Sequence, residues 1–303
     1  MAMAPFLFRY ISATDGTRLR VGVFEPEKKS RRVCVLLGGH SEFIEKYMEV
    51  TAELNARGLV AVTFDWRGQG GSARALADPM KSYVGDYSEY DDDLTSVMQQ
   101  VVAPLSPATP LLLAHSMGAH IGLRALHDRP GAFRGAVLSA PMLEISARGY
   151  PSLLARAAAA VQTFLGHGRR FAWGMQKRDP LKDDFSTQLC TSDPVRFART
   201  QEILAAHPVL RLGGPTWGWL AATYRSTGKA KAGGYAEAIA APVLIVGAGR
   251  DRIVKVEATR RFAARLPRGR YVELEESGHE ILMEQDAIRA RFWREFDEFV
   301  DSL

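Results

Sequence analysis

An apolar run, Leu111-Leu112-Leu113-Ala114, stops abruptly at His115-Ser116-Met117-Gly118 and passes at once into a helix-like stretch, Ile121 to His127. The pattern reads as strand, sharp turn, helix, with a hydroxyl displayed at the turn. Ala114 and Gly118 flank Ser116 with the small side chains that a tight turn needs. Taken alone, the same residues also suit a serine that caps a helix. The run is one of a series: Val33 to Leu37, Leu59 to Phe64, Gly135 to Ser139 and Pro242 to Val246 are further apolar strand patterns. Phe8 to Phe24 reads as a hairpin turned near Asp15-Gly16. Helical spacing fills Glu45 to Arg57, closed by Gly58. Ser88 reads as the start of another helix, with Asp91 as a capping-box partner. Strands alternating with helices imply a mostly parallel sheet covered by helices on both faces, an α/β architecture.

The rhythm lapses between about Glu144 and Ala240. A helical stretch, Ser152 to Leu165, is followed by irregular segments such as Leu212 to Trp219. It resumes at Pro242. This is the pattern of an insertion, 144–240, into a sheet domain made of 1–143 and 241–303.

A serine hydroxyl is a poor nucleophile at neutral pH. It needs a histidine base, and the base needs a carboxylate to hold its tautomer. Two later strand ends supply both. The strand at Val243 to Val246 runs into Gly247-Ala248-Gly249-Arg250-Asp251, and Arg270 to Leu274 runs into Glu275-Glu276-Ser277-Gly278-His279. Asp251 and His279 thus each follow a strand, as Ser116 does, and strand carboxyl ends are where such sheets build sites. Singly, an Asp after a strand is a common turn former, and a His after Gly a common loop residue. Jointly, and in this order, they point to nucleophilic acyl transfer.

The chain resembles the α/β-hydrolase superfamily, and within it the bacterial lysophospholipase and monoacylglycerol-lipase-like serine hydrolases. The resemblance rests on Ala114-His115-Ser116-Met117-Gly118, Phe64 to Ser72, Gly249-Arg250-Asp251, Gly278-His279-Glu280 and Gly39 to Tyr47, and runs from about Tyr10 to Phe299. Ala114 stands where the Gly-x-Ser-x-Gly elbow has its first glycine. The resemblance implies Ser116 as nucleophile, His279 as base and Asp251 as its orienting acid. It implies that 144–240 forms a helical cap. It also implies an oxyanion hole from the backbone N–H groups of Met117 and His40. Gly38-Gly39 replaces a His-Gly pair of related lipases, which leaves the second donor open by one residue. Gly39 is also expected against the substrate. Aromatic residues of the insertion, Phe164, Phe171, Trp173, Trp217 and Trp219, suit either the core of the cap or an acyl-chain tunnel; Phe164, Trp173, Trp217 and Trp219 are the expected substrate contacts.

Other chemistries fit less well. Gly68-x-Gly70-x-x-Ala73 formally matches a dinucleotide fingerprint, but three residues separate it from its strand and no βαβ unit opens there. Seven histidines include no His-x-x-x-His pair, and the two cysteines, Cys34 and Cys190, form no Cys-x-x-Cys. Neither a metal nor a cofactor is expected. The net charge of +5 is far from that of a nucleic-acid binder. Arg148, Arg156, Arg169, Arg170, Lys177 and Arg178 make the early insertion basic, which suits a phosphate head group or an anionic membrane surface and equally a solvated helix face. With two cysteines, no apolar window long enough to span a bilayer and no secretory pattern at the start, the expected location is cytoplasmic, with peripheral membrane contact possible. The expected function is hydrolysis of a carboxylic ester through an acyl-enzyme, lysophospholipid first, monoacylglycerol or simple esters second. A proline-iminopeptidase-like peptidase and a non-catalytic binding member of the fold are the alternatives.

Overall fold

Eight strands form one sheet in the order β1-β2-β4-β3-β5-β6-β7-β8. They are β1 (Arg9–Ser12), β2 (Arg18–Phe24), β3 (Val33–Leu37), β4 (Val60–Phe64), β5 (Leu111–His115), β6 (Gly135–Ser139), β7 (Val243–Ala248) and β8 (Gly269–Leu274). The computed structural model describes residues 8–146, 152–176 and 178–303. The β1–β2 hairpin adds antiparallel to β4, and every later pairing is parallel. All residues of β3, β4, β5, β6 and β7 are buried. That is why their sequences are unbroken apolar runs rather than alternating ones.

Successive side chains point to opposite faces, so the sheet feeds two cores. Val33, Val35, Leu37, Leu112, Ala114, Leu138 and Ile245 pack with the helices α2 (Ser88–Val97), α4 (Ser116–Asp128) and α8 (Val256–Ala263). Cys34, Leu36, Leu111, Leu113, Leu244 and Val246 pack with α1 (Met48–Ala56) and α9 (Asp286–Asp301), where Phe292, Phe296 and Phe299 are buried. Cys34 is therefore a core side chain, and burial pushes its thiol up to about 12. α2 continues through a π-helical turn, Met98–Val102, into the one-turn α3 (Ala103–Leu105).

The helix expected to be capped at Ser88 is capped two residues earlier. Asp86 Oδ1 accepts the Ser88 N–H at 3.0 Å, and Glu89 Oε1 accepts the Asp86 N–H at 3.0 Å. Asp91 is taken instead by Arg124 of α4, at 3.0 Å from its Nε.

Between β6 and β7 the described residues contribute no strand to the sheet. They form α5 (Ser152–Gln162), a π turn (Thr163–His167), α6 (Pro194–Ala206) and α7 (Trp217–Ala230). Trp217 to Trp219, expected as irregular, open α7, because Thr216 caps it by accepting the Trp219 N–H at 3.3 Å. α7 is the base of this layer. Trp219, Ala222 and Ala230 join the core that holds α2 and α4, and the hydroxyls of Tyr87 and Thr223 meet at 3.1 Å. Above it a small cluster of Ala159, Ala172, Trp217 and Ala221 joins α5 to α7. Arg148 and Lys177 lie outside the described residues.

Candidate active site

The strand-to-helix turn after β5 forces Ser116 to φ +51°, a left-handed conformation that costs a non-glycine residue about 1–2 kcal/mol. Packing around the turn holds it there. A Cβ at Gly118 would overlap the carbonyl oxygens of Leu37 and Gly38, so only glycine lets α4 approach the loop after β3 so closely. The Ser116 carbonyl accepts the Met142 N–H at 3.0 Å. The Ser116 hydroxyl then lies 2.8 Å from His279 Nε2, and His279 Nδ1 lies 2.6 Å from Asp251 Oδ2. Asp251 is itself oriented: its Oδ1 accepts the N–H groups of Ile253 at 2.8 Å and Val254 at 2.9 Å. Ser116, Asp251 and His279, 163 residues apart at the extremes, are thus joined in one hydrogen-bonded line.

Electrostatics favour a base at His279. Burial disfavours its protonated form, but the Asp251 carboxylate outweighs burial and raises the imidazole above its ordinary 6.5. Asp251 moves the opposite way. Burial would raise it, and His279 and the two backbone donors bring it below its ordinary value. The neighbouring His115, whose ring centroid is 4.8 Å from that of His279, is pushed down to about 4 by burial and so stays neutral. Its Nδ1 lies 3.4 Å from the Ser139 hydroxyl, as an elbow packing residue would.

The loop after β3 faces Ser116 from the other side. Gly39 lies against it, since a Cβ there would sit 3.1 Å from Ser116 Cβ. The Gly39 N–H is engaged by Glu42 Oε2. Among the described residues the His40 N–H has no protein acceptor, so it is His40 that has a donor to spare at this turn. Its side chain is fixed elsewhere, with Nε2 2.7 Å from Ser82 Oγ and its ring 4.2 Å from that of Trp219. Burial, aided by the Arg178 charge, pushes it down to about 3.

Two sets of residues brace this loop. Trp66 Nε1 donates to the Gly38 carbonyl at 2.9 Å, and Gln69 Nε2 donates to Gly39 O at 2.8 Å. The Asp65 to Ser72 segment, which formally matched a dinucleotide fingerprint, is therefore a scaffold for the loop. The second set is ionic. Lys46 Nζ lies 2.8 Å from Glu42 Oε1 and 2.7 Å from Glu280 Oε1, and Glu42 also accepts the Tyr47 hydroxyl. Burial would raise Glu42, but the Lys46 ammonium holds it well below the usual carboxylate range. A buried charge survives only when paired and hydrogen-bonded. Here the pairing spans the molecule, from the Gly39 loop to the residue after His279.

The His279 loop is clamped from the β6–β7 layer as well. Glu284 accepts the Gly278 N–H at 2.7 Å and the Ser192 N–H at 3.1 Å, and the Glu280 N–H donates to Cys190 O at 2.7 Å. Glu42, Lys46 and Glu280 lie in segments that carry the family resemblance, but the sequence assigns a role to none of them, nor to Glu284. The only local signal is Glu42 and Lys46 four apart.

The aromatic residues divide. Trp219 is buried beside His40 and Trp217 is buried in the small cluster above α7. Phe164 and Trp173 do not line a pocket: they are 90% and 70% exposed. The reason is that α5 turns only its alanine face to α7, so Phe164, beyond it on the π turn, has nothing to pack on. Trp173 touches Trp217 edge-on, at 4.9 Å between centroids. His120 is a core histidine, 2.7 Å from Ser226 Oγ. Among the described residues no group of three or more His, Cys, Asp or Glu side chains could hold a metal ion.

The family described as serine aminopeptidase, S33, matches residues 28–286. The chain belongs to this family. It is similar to lysophospholipase L2 of Escherichia coli strain K12, with 33% identity over 269 residues, covering 86% of this chain and 77% of that protein. A probable lysophospholipase L2 of Haemophilus influenzae is 27% identical over 297 residues, covering 98% and 92%. A solved monoglyceride lipase of Saccharomyces cerevisiae superposes with a TM-score of 0.77 at 17% identity, covering 99% of this chain and 96% of that one; it shows the same fold. The family membership bears out the expected α/β-hydrolase fold, and together with the lysophospholipase relatives it makes the protein a serine ester hydrolase.

Proposed function

We propose that the chain is a lysophospholipase with Ser116, His279 and Asp251 as its catalytic triad. The observation that carries this is the unbroken line from Asp251 through His279 to Ser116, at 2.6 and 2.8 Å. The Ser116 hydroxyl gives its proton to His279 Nε2 as the oxygen attacks the acyl carbonyl. Asp251 holds the Nδ1–H tautomer and stabilises the imidazolium. The N–H groups of Met117 and His40 hold the oxyanion. The intermediate collapses, His279 protonates the departing glycerophosphoryl alcohol, and a water activated by the same imidazole frees the fatty acid. Similarity to lysophospholipases over most of the chain supports a monoacyl phospholipid as the substrate.

Residues 144–240 act as the cap in this reading, between core parts 1–143 and 241–303. The cap also offers a surface to lipid. Leu153, Leu154, Phe164, Leu165 and Trp173 are exposed, and Arg156, Arg169 and Arg170 are exposed among them. An apolar ridge with basic neighbours suits an anionic membrane face. No helix among the described residues is long and apolar enough to cross a membrane, so contact of this kind would be peripheral.

The deciding experiment is fatty-acid release from a lysophospholipid, beside Ser116→Ala. Losing a triad nucleophile removes about a million-fold in kcat. A Ser116→Ala protein that turns over like the parent overturns the proposal.

A further inference from the structure

We propose that the cavity between the 78–82 loop and residues 171–176 and 178–182 is a head-group site for a zwitterionic phosphodiester, with Arg178 and Lys182 taking the phosphate and Asp78 and Asp179 the ammonium. The inference rests on the ester-hydrolase reading of Ser116 and adds to it the choice of head group.

The cavity holds about 470 Å³ and is lined by these four charged residues together with Met80 and Phe171, among others. That volume is in the range of small-molecule sites, about 300–1,000 Å³. Its walls are stitched together by Gly213, which donates its N–H to Met80 O at 2.9 Å. A Cβ there would come within 2.8 Å of Met80 O and 3.0 Å of Arg178 O. The loop that carries Met80 is connected to the loop packed on the reacting serine. Ser82, on the same loop as Met80, bonds His40 Nε2 at 2.7 Å, and His40 follows the glycine packed on Ser116.

The charges around the cavity are under-used. Elsewhere arginines are saturated with carboxylates: Arg196 meets Glu49, Asp193 and Asp286 at 2.6–2.7 Å, and Arg20 meets Glu45 and Asp65 at 2.6 Å. Among the described residues the one ion-pair partner of Arg178 is Asp183 at 3.9 Å and that of Asp78 is Lys81 at 3.9 Å; Asp78 and Asp179 each commit one oxygen, Oδ1, to a backbone N–H, of Met80 at 3.0 Å and of Leu181 at 3.1 Å. Among the described residues Lys182 has no ion-pair partner. Two available cations and two carboxylates in one cavity match a ligand that carries both signs. Phe171 offers a ring face to an ammonium; Lys81 Nζ already lies 5.4 Å from its centroid. An acyl glycerol without a phosphate would give Lys182 no counter-ion and Arg178 none closer than Asp183.

The test uses a short-chain lysophospholipid below its aggregation limit, so that attraction to a membrane surface plays no part. The comparison substrate is the monoacylglycerol of the same acyl chain. In Arg178→Gln/Lys182→Gln the ratio of kcat/KM for the ethanolamine lysophospholipid over the monoacylglycerol should fall about tenfold or more, since two charge-assisted contacts are lost, and the change should lie in KM. In Asp78→Asn/Asp179→Asn the preference should shift from the ethanolamine head group towards an anionic glycerol head group. An unchanged ratio in the first variant together with an unchanged preference in the second overturns the head-group site while leaving ester hydrolysis standing. Failure of the parent protein to cleave either substrate overturns the hydrolase reading and the site with it.

Discussion

The sheet domain around Ser116 and the layer between β6 and β7 are built on opposite terms. On the sheet side the charged groups that brace the loop beside the serine are committed. Glu42 holds a backbone N–H, a phenol and an ammonium, and Lys46 is shared with Glu280. On the other side, residues 152–182 leave Leu153, Phe164 and Trp173 at least 70% exposed and leave Arg178 with one distant partner. Groups held by several partners cannot reorganise cheaply, which is what a preorganised oxyanion site needs. Groups with spare surface and spare charge are free to meet something that arrives. On the proposed function, the contrast puts bond-making chemistry on the sheet side and recognition in the layer between β6 and β7.

Three experiments, taken in falling order of effect, would break or sharpen that division. Asp251→Asn on the sheet side should lower kcat by about 10⁴, as loss of the orienting carboxylate does in a serine triad. Because Asp251 raises His279 above its ordinary 6.5, the parent's acid limb in kcat/KM should lie above that value. Protonation removes the base, so activity rises with pH through the limb, and in Asp251→Asn the limb should move to lower pH. A limb that stays put would separate Asp251 from the titration of His279.

Glu42→Gln tests whether the ionic brace supports chemistry or only the fold. It leaves the Gly39 loop without a charged acceptor, and the expected loss is about 10² in kcat with little change in KM, the lower end for a lost oxyanion donor. An equal change in both parameters would assign Glu42 to folding alone. Arg169→Glu with Arg170→Glu tests the layer between β6 and β7. A basic residue near an anionic surface contributes about 1 kcal/mol, so reversing two should lower activity on anionic vesicles by about tenfold or more at low salt. Turnover of a soluble short-chain ester should be unaffected. Unchanged vesicle activity would remove membrane attraction from the cap.

Much of the frame was legible before any coordinates. The strands from Val33 to Leu37, from Gly135 to Ser139 and around Leu111 read correctly because a strand buried on both faces must be apolar throughout. Ser116 and Asp251 could be named because each follows such a strand, His279 because it follows the half-exposed edge strand β8, and the geometry of the elbow demands small neighbours. The brace from Glu42 through Lys46 to Glu280 was not legible. Nothing in the spacing of two residues 238 apart says that one ammonium lies between them. Phe164 and Trp173 misled for a related reason. An aromatic side chain in a helical stretch signals burial, and whether a second layer exists to bury it depends on the packing of α5 on α7. The start of α7 was hidden by its own Gly-Gly-Pro approach, which reads as loop until Thr216 is seen as a cap.

The anchoring of the 190–196 segment has a consequence for protein engineering. Ser192 is bonded to Glu284, Cys190 O to the Glu280 N–H, and Arg196 to Glu49 and Asp286. The layer over the sheet is therefore not a portable module to be exchanged between homologous hydrolases at its two chain junctions. A graft that omits Glu49 and Glu284 from the recipient would take one of its three carboxylates from Arg196 and loosen the loop carrying His279. Recombination breakpoints that respect the function must pass through sheet-domain positions far from either junction.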